Sequence, residues 1–191
     1  MDIWVEIAQD SERGVRRLVA EYGERLLTAA VQITKNHSDA EDLVLRTFEQ
    51  VVRKIDTYAG NSSFYTWIYR ILVNFRRMDL RKRDARTLVL SDELPDCEDP
   101  APDPAERLAM KSSAADVRAA VAKLPETLRA AVVLRYFAEL DVAQVAEALG
   151  ISKGAAKVRL FAARRRLAQI LSLTDAGKGA SNGKDGGDGQ I

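Results

Sequence analysis

The sequence predicts an all-α protein of two small helical domains joined by an acidic flexible linker, the second domain being a helix-turn-helix. Glycine and proline are scarce over long stretches, which leaves those stretches free to form helices. Apolar residues recur within them at helical spacing. Residues 91–104 contain four prolines and six acids and interrupt the pattern, so they are predicted to be a solvated linker.

The first domain is predicted over residues 1–90 as three amphipathic helices, and the pattern leaves room for a short helix before them. Ser38 and Glu41 have the spacing of a capping box that opens the second helix. Ser63 is placed to cap the third helix, which carries a stripe of large apolar residues.

The second domain is predicted over residues 105–173, with a helix break at the pair Leu124-Pro125. Asp141 and Gln144 form a capping box for a short helix, and Gly150 is placed to end it. Ser152 then caps a basic helix, which completes a helix-turn-helix. The tail, residues 174–191, has six glycines and is predicted to be disordered.

The net charge is only +1, but charge is segregated along the chain. Residues 70–86 contain seven bases and two acids, and residues 153–166 contain six bases and no acid. Residues 92–106, in contrast, contain seven acids and no base. Local blocks of charge indicate the binding partner of a protein better than its net charge does. The two basic blocks here favour nucleic acid as the partner.

The basic helix of the helix-turn-helix is the sharpest local signal. We expect it to present Lys153, Lys157, Arg159 and Arg164 on its outer surface, where such side chains reach base edges and phosphates in the major groove. A solvated basic helix in a small bundle is the alternative. The glycine turn, both caps and the unbroken positive charge favour DNA binding.

A cluster of aromatic residues leads into the first basic block, and it consists of Tyr58, Phe64, Tyr65, Trp67 and Tyr69. Rings beside positive charge suit single-stranded DNA, because bases stack on rings while cations follow the backbone. Phe64 and Trp67 also share the spacing of a core stripe, so Trp67 is interpreted as mainly structural. Tyr65 and the loop 59–63 are the better candidates for base contact.

Several classes of function find no support in the sequence. One cysteine, Cys97, and one histidine, His37, permit neither an intramolecular disulfide nor the usual Cys/His metal site. Phosphate-loop, HExxH and GxSxG motifs are missing from the sequence. No apolar run is long enough to span a membrane, and the N-terminus does not resemble a signal peptide. We therefore expect a cytoplasmic protein that is not an enzyme and binds neither metal nor cofactor.

Three segments together resemble the extracytoplasmic-function (ECF) sigma factors, group IV of the sigma-70 family. They are DAEDLVLRTFEQV (Asp39–Val51), SSFYTWIYRILVNFRRMDLRKR (Ser62–Arg83) and KLPETLRAAVVLRYFAELDVAQVAEALGISKGAAKVRL (Lys123–Leu160). The order and spacing of the three blocks are specific. The resemblance implies a promoter-melting and polymerase-binding first domain (sigma region 2) and a second domain (sigma region 4) that reads DNA.

The resemblance also implies partners and residue roles. Core RNA polymerase would be bound through Asp42, Leu43, Leu45, Arg46, Thr47 and Phe48. The minus-ten promoter element would meet Gly60, Asn61, Ser62, Ser63, Tyr65, Asn74 and Arg77. The minus-thirty-five element would meet Ser152, Lys153, Lys157, Val158, Arg159, Phe161 and Arg164. An anti-sigma factor would hold the protein inactive.

This chain departs from the family pattern at four positions. Leu45 and Arg46 stand where the family usually has Gln and Glu, which removes an acid from the expected polymerase face. Ala155 replaces a threonine, and Ala162 stands where a basic or polar residue is common.

Two other functions remain open from the sequence. An ordinary helix-turn-helix regulator, whose first domain serves dimerisation or sensing, accounts for the second domain but not for DLVLRTF or the aromatic cluster. A polymerase-binding inhibitor accounts for the first domain and leaves the basic helix without a role.

Overall fold

The computed structural model describes residues 2–84 and 113–181, and every regular element in those ranges is a helix. The first range contains α1 (Ile3–Gln9), α2 (Ser11–Thr34), α3 (His37–Arg53), a 3-10 turn (Ile55–Thr57) and α4 (Phe64–Asp84). The second contains α5 (Ala114–Ala122), α6 (Glu126–Val132), a π-helical turn (Val133–Phe137), α7 (Val142–Leu149) and α8 (Lys153–Ser181). The predicted all-α class is confirmed. The predicted linker and the helix start near Ala105 lie outside the described residues.

The short N-terminal helix α1 packs closely against α2. A Cβ atom added at Gly14 would lie 2.5 Å from the Cα atom of Ile7, so only glycine permits this approach of the two backbones. The carboxylate of Glu6 is buried beside the contact and pairs with Arg13 at 2.6 Å and Arg17 at 2.9 Å. The tight contact therefore anchors the N-terminus to the rest of the chain.

The start of α3 differs from the prediction. Lys35 ends α2 in the left-handed conformation, with φ 63°, and Asn36 then returns to extended backbone. The side chain of Asn36 accepts a hydrogen bond from the backbone N–H of Asp39 at 3.0 Å. The predicted capping box of Ser38 and Glu41 is wrong, because Asn36 caps the helix two residues earlier and Ser38 already lies in its first turn.

The helix break at Leu124-Pro125 is confirmed, since α5 ends at Ala122 and Pro125 precedes α6. The tail prediction is wrong at its start, because α8 continues through Ser181 instead of ending near residue 173. Extending an existing helix costs far less than nucleating one, so two glycines do not stop it at once. Residues 182–191 lie outside the described part of the chain.

The two predicted domains pack into one body with a shared apolar core. Leu72 of α4 and Leu149 of α7 are both fully buried in it. Polar contacts cross the same boundary: Arg76 Nε lies 3.1 Å from Glu126 Oε1, and Arg129 Nε donates to the Ile33 carbonyl at 3.2 Å. The structure therefore places the helix-turn-helix directly against the first domain.

Candidate nucleic-acid interface

The helix-turn-helix forms as its residues predict. The Asp141 side chain accepts from Gln144 N–H at 2.9 Å, and the Gln144 side chain accepts from Asp141 N–H at 2.8 Å. Gly150 ends α7 in the left-handed conformation, with φ 62°. Ser152 Oγ accepts from the N–H of Ala155 at 3.1 Å and so caps α8. The turn is fixed locally at both of its ends.

The first turns of α8 separate into an exposed and a buried side. Ser152, Lys153 and Lys157 lie on the exposed side. Ala156 is fully buried, which explains why a small residue stands there. Phe161 and Arg164 are half-buried, and the guanidinium of Arg165 lies 5.8 Å from the Phe161 ring centre.

The prediction that Arg159 lies on the outer surface is wrong, and Val158 is buried beside it. Arg159 is only 7% exposed. It shares a cleft of about 460 Å³ with Arg76, Arg77 and Arg81 of α4. We call this the arginine cleft, after those four side chains. A single-helix pattern could not place Arg159 there, since the other three arginines belong to a helix of the other domain.

The loop before α4 is exposed and is held by two hydrogen bonds at its C-terminal end. Gly60, Asn61 and Ser63 are exposed, and Gly60 has a φ of 72°. The Tyr58 hydroxyl donates to the Ser62 carbonyl at 2.6 Å, and Ser63 Oγ accepts from Thr66 N–H at 3.1 Å. The predicted cap at Ser63 is confirmed. The loop thus presents polar groups to solvent from a fixed position.

Tyr65 lies behind this loop in an aromatic and cationic setting. Its ring centre is 4.8 Å from the Arg25 guanidinium and 5.6 Å from the Tyr22 ring centre. Its hydroxyl lies 3.2 Å from that of Tyr69. Burial raises the pKa of Tyr65, so its hydroxyl stays protonated at neutral pH. Trp67 is half-buried against Phe64 and Tyr58, which fits its structural interpretation.

Asn74 and Arg77 lie one turn apart on α4 in different surroundings. Asn74 is exposed. Arg77 is half-buried, and its Nη2 donates to the Leu149 carbonyl at 2.7 Å. Leu149 is the last residue of α7, so Arg77 binds the end of the first helix in the helix-turn-helix. Asn74 and Arg77 are both expected to contact the minus-ten element, but only Asn74 is exposed to solvent.

The expected polymerase-binding segment of α3 also has two sides. Leu43, Thr47 and Phe48 are buried, and Thr47 Oγ1 donates to the Leu43 carbonyl at 2.7 Å. Asp42 and Leu45 are exposed, Leu45 at 59% of its surface. The three buried residues therefore shape the helix from within, while the exposed ones are available for contact.

Arg46, one of the departures from the family pattern, forms an internal clamp. Its guanidinium binds Asp79 of α4 in a bidentate pair at 3.1 and 2.7 Å, and its Nε lies 2.8 Å from the Asp42 carboxylate. The Phe75 ring centre is 5.4 Å away. Hydrogen bonding to Arg46 lowers the pKa of Asp79. Arg46 thus ties α3 to α4 rather than extending freely into solvent.

Two family models match the chain, one over each of the packed regions. Sigma-70 region 2 matches residues 18–86, and Sigma-70 region 4 matches residues 114–167. The ECF sigma factor SigF of Caulobacter vibrioides is 33% identical over 142 residues, covering 72% of this chain and 73% of that protein.

The chain belongs to the ECF sigma factors.

Other relatives of this sigma factor extend over most of its length. The RNA polymerase sigma-H factor of Pseudomonas aeruginosa is 27% identical over 183 residues, and the match covers 87% of this chain and 92% of the sigma-H factor. The sigma factor is a transcription initiation factor, and the function predicted from the resemblance is confirmed over the alternative of an ordinary helix-turn-helix regulator.

Two solved structures share the fold of this sigma factor. One is the sigma factor RpoE of Bartonella quintana in complex with the anti-sigma factor NepR. Its TM-score is 0.63 at 22% sequence identity, and the match covers 83% of this chain and 96% of RpoE. The other is CnrH in complex with the cytosolic domain of CnrY, with a TM-score of 0.62, 26% identity, and coverage of 91% and 96%.

Within residues 2–84 and 113–181, no helix combines the length and apolar character needed to cross a bilayer. Over the same residues of this sigma factor, no group of three or more His, Cys, Asp or Glu side chains is arranged to hold a metal ion.

Proposed function

We propose that this sigma factor divides promoter recognition between the loop 59–63 with Asn74 and the first turns of α8. One observation carries the proposal: the chain exposes a fixed polar loop beside an aromatic cluster, and separately a capped helix whose exposed residues include two lysines. The loop suits an unstacked base of the minus-ten element. The helix, through Ser152, Lys153 and Lys157, suits the duplex of the minus-thirty-five element.

Core polymerase docks on the exposed side of α3 in this proposal. Asp42, Leu45 and Glu49 are exposed and follow one another at helical spacing, so they form a single stripe. Glu49 was not selected from the sequence, although its spacing from Leu45 could have indicated it. Leu43, Thr47 and Phe48 support the stripe by packing beneath it, and Arg46 fixes its orientation through Asp79.

Reading both promoter elements requires the two regions to separate. The names of the two elements, minus thirty-five and minus ten, place them about 25 base pairs apart, which is roughly 85 Å of duplex at ~3.4 Å per pair. In the packed structure Arg77 touches Leu149, and the loop 59–63 lies about 20 Å along α4 from Arg77. The packed form therefore represents the free protein, and polymerase holds an open form.

Control by an anti-sigma factor completes the proposal. Both solved neighbours are sigma factors bound to such partners or to a partner's cytosolic domain, and they share this fold. An anti-sigma factor that binds the packed form would oppose the opening needed for promoter reading. The protein acts in the cytoplasm, beside its polymerase, and performs no catalysis of its own, since binding energy for the opened strand drives melting.

The test is transcription in vitro with core polymerase of the same organism, with permanganate footprinting of the melted strand. We expect Asn74→Ala to weaken promoter opening while polymerase binding is unchanged, and a pre-melted promoter to restore the signal in part. Gln169→Ala, an exposed change elsewhere on α8, is the matched control. Duplex binding without any sigma-dependent transcript would overturn the proposal. So would an Asn74→Ala defect that persists on the pre-melted template together with lost polymerase binding.

A further inference from the structure

The lining of the arginine cleft contains four arginines and one acid. Its floor is apolar and includes Val73 and Leu149. Glu126 is the acidic residue in its lining, and this carboxylate already pairs with Arg76 and with Arg129. An arginine offers five N–H donors, so even a paired guanidinium keeps donors for another carboxylate.

The four arginines of the cleft lie at different depths. Arg76 and Arg159 are less than 10% exposed, Arg77 is half-buried, and Arg81 is exposed at the rim. Charge in such partly desolvated surroundings attracts carboxylates more strongly than it does on an open surface. The apolar floor also favours a segment that carries prolines or small apolar residues between its acids.

The chain contains such a segment next to the cleft. Helix α4 ends at Asp84, one turn beyond Arg81, and the chain is described again from Ser113. Between them, residues 91–104 (SDELPDCEDPAPDP) contain six acids, four prolines and no base. The roughly 28 intervening residues can extend over about 90 Å, so length does not prevent any approach to the cleft. Tethering gives the segment an effective concentration of the order of millimolar, which makes weak contacts sufficient.

We propose that the acidic segment 91–104 docks in the arginine cleft of the free protein. Its carboxylates bind at the rim and interior arginines, and its prolines lie on the apolar floor. Docking bridges α4 and α8, because Arg81 and Arg159 belong to different regions of the chain. It also covers Arg81, an exposed cation at the rim that would otherwise attract DNA phosphates. The segment thus acts as an internal competitor of nucleic acid, whose strength falls with salt over a screening length of about 8 Å at physiological ionic strength.

The single cysteine of the chain, Cys97, lies within this segment and reports on docking. The experiment measures the rate at which a small neutral alkylating reagent modifies Cys97 in the full-length protein. A synthetic peptide of residues 91–104 supplies the rate of the undocked segment, with the same neighbouring acids around the thiol. We expect the protein to react about tenfold more slowly than the peptide at low salt, and the difference to shrink as salt is raised.

A variant of the cleft then locates the protection. Arg81→Gln removes a rim charge, and we expect it to raise the labelling rate several-fold toward that of the peptide. Arg16→Gln, which removes an exposed charge of α2 outside the cleft, is the matched control and leaves the rate unchanged. Labelling of the native protein at the peptide's rate overturns the proposal. Protection that Arg81→Gln and salt both leave intact overturns it as well, because the segment would then be held elsewhere.

Discussion

Arg77 in the middle of α4 donates a hydrogen bond at 2.7 Å to the backbone carbonyl of Leu149, the last residue of α7. One side chain expected to contact the minus-ten element thus binds the last residue of the first helix in the helix-turn-helix, which is proposed to read the other element. The last carbonyls of a helix lack partners within that helix, so Arg77 supplies a bond that solvent would otherwise provide. If the proposed function is correct, promoter binding separates these two groups.

The network around Glu126 is the second tie across this boundary. Glu126→Gln leaves the charges of Arg76 and Arg129 without their carboxylate, so we expect the free energy of unfolding to fall by about 1–3 kcal/mol. We also expect a larger radius of gyration in small-angle scattering, because the two regions separate more easily. Glu24→Gln, an exposed change on α2, is the control. Unchanged values for both quantities would show that Glu126 does not hold the regions together.

Lys157 is exposed on the first turns of α8 and suits a phosphate contact. Lys157→Ala is expected to weaken binding of minus-thirty-five duplexes and to reduce the slope of log affinity against log salt by about 0.9. The loss applies to all sequences alike, since phosphates carry no sequence information. Fluorescence anisotropy across a salt series measures the slope, with the exposed Lys54→Ala as control. An unchanged slope would remove Lys157 from the DNA surface.

The clamp between Arg46 and Asp79 predicts a pH dependence of stability. Because hydrogen bonding to Arg46 lowers the pKa of Asp79 in the folded protein, the unfolded chain binds this proton more tightly. The contribution is complete above the unfolded pKa of about 4 and is lost as pH falls through the lower folded value. Asp79→Asn is expected to cost about 1–2 kcal/mol at pH 7 and to flatten the stability profile below about pH 4. Urea unfolding at several pH values measures both; identical profiles would show that the pair contributes nothing.

Gly14 and Gly23 form a matched pair of substitutions within α2. Gly14→Ala places a Cβ atom 2.5 Å from the Ile7 backbone, so we expect α1 to shift and the unfolding free energy to fall by about 1–3 kcal/mol. Gly23→Ala meets only the Val19 side chain at 3.6 Å and is expected to stabilise the helix by about 0.5–1 kcal/mol. Thermal unfolding measures both, and Trp4 fluorescence reports on α1, since its ring packs 5.8 Å from Tyr58. Equal effects of the two changes would contradict the close contact.

Local chemistry was predictable where neighbouring residues decide it. The caps at Asp141 and Ser152, the glycine turn at Gly150 and the break at Pro125 are each determined by residues within one helical turn. The prediction for the start of α3 was wrong although it also depends on neighbouring residues. Asn36 competes with Ser38 for the cap, and the backbone conformation at Lys35 decides between them. The predicted end of α8 was wrong because helix propagation outweighs the high glycine content of the tail.

Long-range packing accounts for what the sequence could not predict. Arg159 was expected on the outer surface because it is basic and lies on the second helix of the helix-turn-helix. It is buried instead, in a cleft that it shares with three arginines of α4, more than seventy residues away in the chain. The clamp of Arg46 on Asp79 likewise joins two helices whose facing sides no periodicity reveals. From the sequence, Arg46 was expected to remove an acid from the polymerase face, whereas in the structure it joins α3 to α4.

In the proposed function, the free sigma factor holds its two promoter-reading regions together and polymerase separates them. Spin labels at two exposed positions, introduced by Met78→Cys and Gln169→Cys in a Cys97→Ser background, measure that separation directly. We predict a single short distance in the free protein and an increase of at least about 30 Å with core polymerase and promoter, as the ~85 Å between the elements requires. A distance that stays short in the promoter complex, or one that is already long in the free protein, would contradict the account.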